Sequence, residues 1–225
     1  MKKITLKSVQ ECLEIQTLIN SANDNLEVMG YTEHGMRHVT YVSKNAEMIL
    51  KELGYDERIV ELGAIGGYMH DIGNMINRHN HGLTGALMAY EVLLRMGMSP
   101  DEVVKITAAI GNHEEENGTP VSEVSAAVII ADKADAHRTR VRRKSFDKND
   151  IHDRVNNAIK KNFLTVDKEK KVISLFIYMD KTSAIMEFLK IYLSRIILCE
   201  KSATFLKCSF ELVINDKVIN RHSIQ

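Results

Sequence analysis

The sequence predicts a mainly α-helical protein with a small α+β appendage at its C-terminal end. Apolar residues recur with a helical period over about the first 160 residues. After about residue 163 they occur in short runs that are rich in β-branched and aromatic side chains. With 225 residues, 44% of them hydrophobic, the chain can bury a sizeable core. We therefore expect a helical domain over residues 1–160 and an appendage over residues 161–225.

Four helices are predicted in the first part of the chain. The apolar pattern indicates an opening helix over about residues 6–19, a second over 39–53, a third over 56–71 and a fourth over 83–96. Gly54 ends the second helix, because glycine readily adopts the left-handed conformation that closes a helix. His70 and Asp71 fall in the last turn of the third helix, where the helix would fix both side chains beside an open loop.

Two further helices complete the helical domain. Residues 99–102 read Ser-Pro-Asp-Glu, which is a capping box with proline at the first helical position, and the helix that follows reaches His113 at its end. Thr119 and Pro120 are expected to open the next helix, whose apolar run over residues 126–131 ends on Asp132. Four helices can therefore bring polar side chains toward one point.

The appendage is predicted to contain an antiparallel β-hairpin, a long helix and a last strand. Residues 163–167 and 172–179 flank a charged turn, residues 183–206 are helical, and residues 210–214 alternate as a strand does. Such a small sheet has exposed edges that must be covered or paired. A homodimer is one expectation, and simple packing onto the helical domain is the alternative.

Composition argues against several classes of protein. Thirty basic residues balance thirty acidic ones, so no overall field favours a nucleic-acid or membrane partner. The three cysteines, Cys12, Cys199 and Cys208, lack CxxC spacing, which argues against a disulfide framework and a thiolate zinc site. The N-terminal residues lack the apolar region of a signal peptide, and charges interrupt the apolar stretch over residues 183–198. We expect a cytoplasmic protein.

Six histidine and aspartate residues near the ends of predicted helices form a candidate metal site. They are His38, His70, Asp71, His81, His113 and Asp132. Imidazole and carboxylate ligands without thiolate suit iron, manganese, zinc, nickel or cobalt and do not select one of them. Either His79 or His81 could occupy one of the ligand positions, and the pattern favours His81. In that case His79 is a solvated histidine in a loop.

These residues resemble the HD-domain superfamily of metal-dependent phosphohydrolases. The minimal signature of that superfamily, a His, a His-Asp pair and a distal Asp, matches His38, His70, Asp71 and Asp132. Residues 70–73 spell the HDIG form of the motif, and residues 130–135, Ile-Ala-Asp-Lys-Ala-Asp, are similar to its closing segment. The resemblance covers about residues 30–140.

The resemblance extends to the subgroup that binds two metal ions. Its two additional histidines are similar to His81, which is followed by Gly85 and Ala86, and to His113. The resemblance implies an HD-domain helical bundle in which His38, His70, Asp71 and Asp132 bind one divalent ion. Asp71 would bridge to a second ion held by the two additional histidines. A hydroxide between the ions would attack a phosphate ester or anhydride, and nucleotides are among the candidate substrates.

Three residues are candidates for catalytic roles. Asp71 would bridge the ions, and Lys133 follows the closing aspartate, with Asp135 a weaker candidate nearby. His34 lies one helical turn before His38, so both side chains could face one cleft. His34 is thus a candidate for substrate contact or proton transfer, and a plain contact at the helix start is the alternative.

The substrate phosphate also requires positive charge. Arg138, Arg142 and Arg78 are the candidate phosphate ligands, because arginine binds phosphate oxygens in a bidentate manner. The first two belong to a basic stretch that also contains Arg140, Arg143 and Lys144. For most of this stretch the alternative is a solvated helix end.

The ligand pattern leaves the reaction class open. No Gly-Tyr-Pro triad follows the His-Asp pair, which disfavours cyclic-di-nucleotide substrates, and Asn74 replaces the lysine that often follows HDIG. One alternative is a di-iron oxygenase of the same superfamily, which has the same ligands. A second alternative is a non-catalytic sensor that binds a nucleotide or a metal.

Overall fold

The computed structural model describes residues 3–142 and 146–222. Within these ranges the chain forms nine α-helices, two short 3-10 turns and one four-stranded sheet. The helices are α1 (Leu6–Gln10), α2 (Leu13–Val28), α3 (Met36–Glu52), α4 (Glu57–Met69), α5 (His81–Met96), α6 (Pro100–Gly111), α7 (Glu123–Lys133), α8 (Ile151–Ala158) and α9 (Ile185–Phe205). The strands are β1 (Ile159–Asp167), β2 (Val172–Met179), β3 (Ser209–Ile214) and β4 (Lys217–His222). The predicted fold class, mainly α with a small α+β appendage, is confirmed.

The predicted opening helix is two helices, α1 and α2, separated at Glu11 and Cys12. In one continuous helix Val9 and Leu13 would lie on the same face. The break rotates the second segment, so Val9 and Ile15 are fully buried while Leu13 is 77% exposed. The single-helix prediction was therefore wrong, because the apolar period changes its phase between the two segments.

The starts of α6 and α7 differ from the prediction, in the capping bond for α6 and in position for α7. Helix α6 begins at Pro100 as predicted, but the Ser99 side chain makes no capping bond, and Glu102 accepts hydrogen bonds from Arg58 at 2.6 Å instead. Helix α7 begins at Glu123, not at Thr119 and Pro120. Its N-cap is Ser122, whose side chain accepts from the Ser125 amide.

The sheet has the strand order β1-β2-β3-β4. The predicted hairpin pairs β1 with β2 in antiparallel fashion, and α9 then crosses over so that β3 runs parallel to β2. Strand β4 was not predicted, because its residues are largely polar and Val218 is 54% exposed. It pairs with β3 through a two-residue turn in which Asn215 and Asp216 both have positive φ, the conformation that tight hairpins favour.

The appendage and the helical part share one apolar core. Phe188 and Tyr192 of α9 are buried in the same cluster as Val128 and Ile130 of α7. Helix α9 packs on α7 and on β3, and α8 leads directly into β1. The pairing of α9 with α7 matters for the site, because α7 carries Asp132. Nowhere in the described ranges does a helix combine the length and apolarity that crossing a bilayer requires.

Candidate metal centre

The six predicted metal ligands come together at one end of the helical part. His38 lies in the first turn of α3, and His70 and Asp71 directly follow α4. His81 is the first residue of α5, His113 follows α6, and Asp132 lies near the end of α7. Five helices thus contribute one or two residues each, as side chains at helix ends can do.

Four of these residues form a first cluster. Nε2 of His38 lies 3.1 Å from Nε2 of His70 and 3.3 Å from Oδ1 of Asp132. Oδ2 of Asp71 lies 3.5 Å from Nε2 of both histidines. Two imidazoles and two carboxylates therefore surround one point.

A second cluster uses the other oxygen of Asp71. Its Oδ1 lies 3.2 Å from Nε2 of His81 and 3.7 Å from Nε2 of His113. The two histidine nitrogens are 3.0 Å apart. Asp71 thus faces one cluster with each carboxylate oxygen.

The hydrogen bonds of the outer ring nitrogens fix the tautomers of all four histidines. Nδ1 of His38 donates to Asp135 at 2.7 Å, and Nδ1 of His70 donates to the Gly67 carbonyl at 2.8 Å. In the second cluster, Nδ1 of His81 and of His113 donate to the carbonyls of Arg78 at 2.9 Å and of Ile110 at 2.6 Å. Because these oxygens accept, each Nδ1 carries a proton, and in the neutral form of each ring Nε2 presents a lone pair inward.

This donor set fits divalent cations. Facing lone pairs 3.0–3.1 Å apart repel each other unless a proton or a metal ion lies between them. Oδ2 of Asp71 is buried and has no hydrogen-bond partner among the described residues. Ligand atoms about 2.1 Å from a common ion have separations of roughly 3 Å, as found here. The clusters therefore have the chemistry and spacing of metal ligands.

The protonation states also favour metal binding. Burial opposes the ionisation of Asp71 and Asp132, but His70 and Lys133, respectively, hold the pKa of each carboxyl well below its ordinary value. Burial lowers the pKa of His113 to about 4. At neutral pH both carboxylates are therefore charged and His113 is neutral, which is the form in which they bind metals.

The sequence matches a known family over the segment that carries these clusters. The family model of the HD domain matches residues 35–139. Residues 35–139 are an HD domain. All six candidate ligands lie within this segment, and the resemblance predicted from the motifs is thereby confirmed.

Two individual proteins are similar to this chain. The uncharacterized protein MJ1020 of Methanocaldococcus jannaschii is 29% identical over 136 residues, which are 51% of this chain and 52% of that protein. The chain thus matches about half the length of this relative. The crystal structure of a predicted HD superfamily hydrolase from an uncultured Thermotogales bacterium is 23% identical, with a TM-score of 0.46, and the match covers 60% of this chain and 75% of that one.

Contacts outside the ligands hold the HD-domain clusters in place. The buried amide of Asn74 donates to Oδ1 of Asp71 at 2.9 Å, so the residue that departs from the family pattern orients the carboxylate that faces both clusters. Asp135 accepts from His38 and receives two further bonds from Arg37 at 2.7 and 3.1 Å. Such partners orient ligands and tune the affinity for the metal. Asn74 was overlooked as a positioning residue, although its spacing of three from Asp71 was a usable signal.

The glycine of the HDIG motif has a packing role. A Cβ atom on Gly73 would overlap the backbone carbonyl of His81. Helix α5 can therefore approach the turn after α4 only because this position lacks a side chain. This close approach brings His81 to Asp71.

A chain of ion pairs joins the metal ligands to the appendage. Nζ of Lys133 donates to Oδ2 of Asp132 at 2.6 Å and lies 3.2 Å from Oε1 of Glu115. Oε1 of Glu115 also lies 2.9 Å from Nε of Arg195, on α9. The sequence had indicated Arg195 only as a charge that interrupts an apolar stretch, because no local motif marks it.

The predicted phosphate ligands lie in different places. Asp71, His81, His113 and Asp132 line a small pocket, which we call the ligand pocket. Arg78 also lines it, and its Nη1 lies 3.2 Å from Oδ1 of Asn74. Arg138 donates to the Asn157 carbonyl at 2.8 Å and lines a separate cavity. Arg142 donates to the carbonyls of Tyr31 and Asn23 and so binds α2 and the loop after it. The structure thus brings only Arg78 of these three to the metal ligands. Arg143 and Lys144 lie outside the described residues.

The two remaining candidate histidines differ in their surroundings. His34 lines the pocket, but its Nδ1 donates to the Thr32 carbonyl at 2.6 Å and its Nε2 accepts from Arg140 at 2.7 Å. Burial and Arg140 lower the pKa of His34 well below its ordinary value, so it is neutral and both nitrogens are occupied. His79 is exposed at the mouth of a cavity that His81 also lines, and it belongs to none of the metal-ligand clusters among the described residues.

Proposed function

We propose that this protein is a metal-dependent phosphohydrolase that cleaves a phosphate ester or anhydride. The observation that supports it most is the position of Asp71, whose two oxygens each face a separate group of histidine ligands. The HD domain and these clusters support a metal-dependent hydrolase in general. Phosphate as the substrate group is our extension, and it rests on the cations that line the same pocket.

Two divalent ions, one in each cluster, are the cofactors that we propose. When bound, they would lower the pKa of a coordinated water and offset the charge of a phosphate group. Asp71 would offer one oxygen to each ion, and its carboxyl is already ionised, so no proton needs to leave before a metal binds. Asn74 and Asp135 hold the ligand orientations that this arrangement needs.

Positive side chains at the pocket favour an anionic substrate. Burial opposes the charge on Lys133, but Asp132 and Glu115 raise its pKa, so it remains protonated beside the clusters. Arg78 lines the same pocket, and its guanidinium lies 5.4 Å from the centre of the Tyr31 ring. We assign both cations to charge compensation at the substrate phosphate.

The pocket continues into a larger cavity that would hold the rest of the substrate. This cavity has a volume of about 380 Å³ and shares His34, Arg78, Arg140 and Arg195 with the pocket around the metal ligands. Its outer wall includes Tyr31 and carboxylates of the α8 region. The volume suits a small phosphorylated organic molecule, and we include nucleotides among the candidate substrates.

Phosphate release with and without dioxygen tests the proposal. The protein, loaded with Mn²⁺ or Fe²⁺, would be assayed against nucleotides and simple phosphate esters under air and under nitrogen. We expect phosphate release that persists under nitrogen and that Asp71→Ala abolishes. Asp101→Ala, at an exposed position in the first turn of α6, is the matched control and should retain activity. Oxygen consumption without phosphate release would favour the oxygenase instead, and metal binding with neither reaction would favour the sensor.

A further inference from the structure

We propose that Arg195 of the C-terminal appendage binds the substrate phosphate, so that the appendage completes the substrate site of the HD domain. The proposal rests on the phosphohydrolase function above and names a residue that lies outside the HD-domain segment, residues 35–139.

Arg195 lies between the metal ligands and the larger cavity. It lines the pocket that contains Asp71, His81, His113 and Asp132, and it also lines the cavity of about 380 Å³ beside it. A substrate with its phosphate group at the metal clusters and its organic group in the cavity would lie beside this guanidinium. Arg195 is thus placed where the two parts of such a substrate join.

The guanidinium of Arg195 is held from two sides. Its central carbon lies 4.8 Å from the centre of the Tyr192 ring, and its Nε forms an ion pair with Oε1 of Glu115 at 2.9 Å. Tyr192 is itself buried and fixed by a hydrogen bond to Asn156 at 3.1 Å. The side chain of Arg195 is only 23% exposed. A preorganised guanidinium loses little conformational entropy when it binds an anion.

The terminal nitrogens of Arg195 remain available for a ligand. Among the residues that the structure describes, none accepts a hydrogen bond from its two Nη atoms. Nε lies 2.9 Å from Oε1 of Glu115 as an ion pair but is buried without a hydrogen-bond partner among these residues. Two parallel N–H groups on a planar guanidinium match two oxygens of a phosphate. An anion with this geometry would complete the hydrogen bonding of a side chain that is otherwise largely buried.

The neighbouring arginine cannot take the same role. Arg140 also lines both spaces, but its Nη1 donates to the Asp135 carbonyl at 3.0 Å and its Nη2 to His34 at 2.7 Å. It is 5% exposed, and both of its terminal nitrogens are thus engaged within the protein. Of these two arginines, Arg195 is therefore the one whose terminal donors are available to a substrate.

Binding of inorganic phosphate to the Mn²⁺-loaded protein tests this assignment without turnover. Isothermal titration calorimetry would compare the wild-type protein with Arg195→Met, which keeps a long unbranched side chain but removes the guanidinium group. We expect the Kd for phosphate to rise roughly ten- to a hundredfold, as for other hydrogen bonds to charged groups. Arg95→Met is the matched control, because Arg95 is exposed on α5 and pairs with Glu14 far from the cavity.

A second variant separates ligand binding from a purely structural role. Glu115→Gln removes the ion pair with Arg195 and leaves the arginine in place. If Arg195 only ties the appendage to the HD domain, both variants should weaken phosphate binding equally. If Arg195 binds phosphate, Glu115→Gln should bind it as well as the wild-type protein or more tightly, because a nearby negative charge is removed.

The outcomes distinguish this assignment from the proposed function. Unchanged phosphate affinity in Arg195→Met, with normal metal content, would overturn the role of Arg195 and leave the phosphohydrolase intact. Equal losses in Arg195→Met and Glu115→Gln would also overturn it. Wild-type protein that binds Mn²⁺ but no phosphate would contradict both the assignment and the function on which it rests.

Discussion

Oδ2 of Asp135 accepts a hydrogen bond from Nδ1 of His38 across 2.7 Å, although the two residues are 97 positions apart in the sequence. Arg37 holds the same carboxylate with two further bonds. Burial opposes the ionisation of Asp135, but Arg140 and the bond from His38 lower its pKa far below the ordinary value. An ionised carboxylate thus fixes the tautomer in which His38 turns its Nε2 toward the metal cluster.

Asp135→Asn should weaken metal binding without removing any ligand. Asparagine can offer an amide donor in place of the oxygen that His38 requires, and it carries no charge to increase the basicity of the imidazole. Loss of such an outer partner typically costs roughly ten- to a hundredfold in metal affinity. Competition with a fluorescent Mn²⁺ or Zn²⁺ chelator would measure the change. Asp101→Asn is the matched control, and equal affinities of the two variants would contradict this role of Asp135.

The positions of the candidate ligands could be predicted from the sequence, because each lies where a helix with a clear apolar period begins or ends. The turn after α4 fixes His70 and Asp71, and the starts of α3 and α5 fix His38 and His81. Local sequence determines such positions. The tertiary contact that joins them then follows from helix packing, for which the HDIG glycine supplies the necessary close approach.

The residues that contact the candidate ligands were harder to predict, since their roles depend on segments that are distant in the sequence. Asp135 was a weak candidate because its partner is a ring on α3. Arg195 lies among apolar residues on α9 and acquires its surroundings only when α9 packs on α7. Arg138 and Arg142 were expected at the phosphate because they follow Asp132, but the turn over Arg138–Arg140 directs them to other partners.

His113→Ala should reduce the number of bound metal ions per chain from about two to about one. Only the second cluster loses a ligand, because His113 lies against His81 and Oδ1 of Asp71 while the first cluster keeps its four residues. Metal analysis after gel filtration would give the ratio of metal to protein. His79→Ala is the control that should keep the wild-type ratio. A loss of metal in His79→Ala would show that the exposed histidine is a ligand after all.

Arg78→Ala and Arg138→Ala should have different effects on catalysis. Arg78 lines the ligand pocket, so its loss should raise KM roughly tenfold, as expected for a charge-assisted hydrogen bond to substrate. Arg138 binds the Asn157 carbonyl beside another cavity, so its loss should leave KM unchanged. Steady-state kinetics with whichever ester proves active would measure both values. A raised KM in Arg138→Ala alone would reverse this assignment.

Glu115 should make folding stability depend on pH in the acid range. Burial opposes its ionisation, but Lys133 and Arg195 together lower its pKa from 4.5 to about 2. A carboxyl whose pKa is lower in the folded state stabilises the fold fully above its unfolded pKa, and the contribution is lost as the pH falls through the folded value. With allowance for the partial exposure of the side chain, the contribution at pH 7 is about 2 kcal/mol.

Urea unfolding of chelator-treated protein would measure this contribution as the difference between wild-type protein and Glu115→Gln. We expect a constant difference in the free energy of unfolding from pH 7 down to about pH 5, and less than half of it at pH 3, because the wild-type advantage requires the ionised carboxylate. Glu91→Gln is the control, since the carboxylate of Glu91 is 77% exposed and its pairing with Arg95 should contribute little. A difference between wild-type and Glu115→Gln protein that does not change between pH 7 and pH 3 would show that Glu115 stabilises the fold by shape or neutral hydrogen bonding, not by its charge.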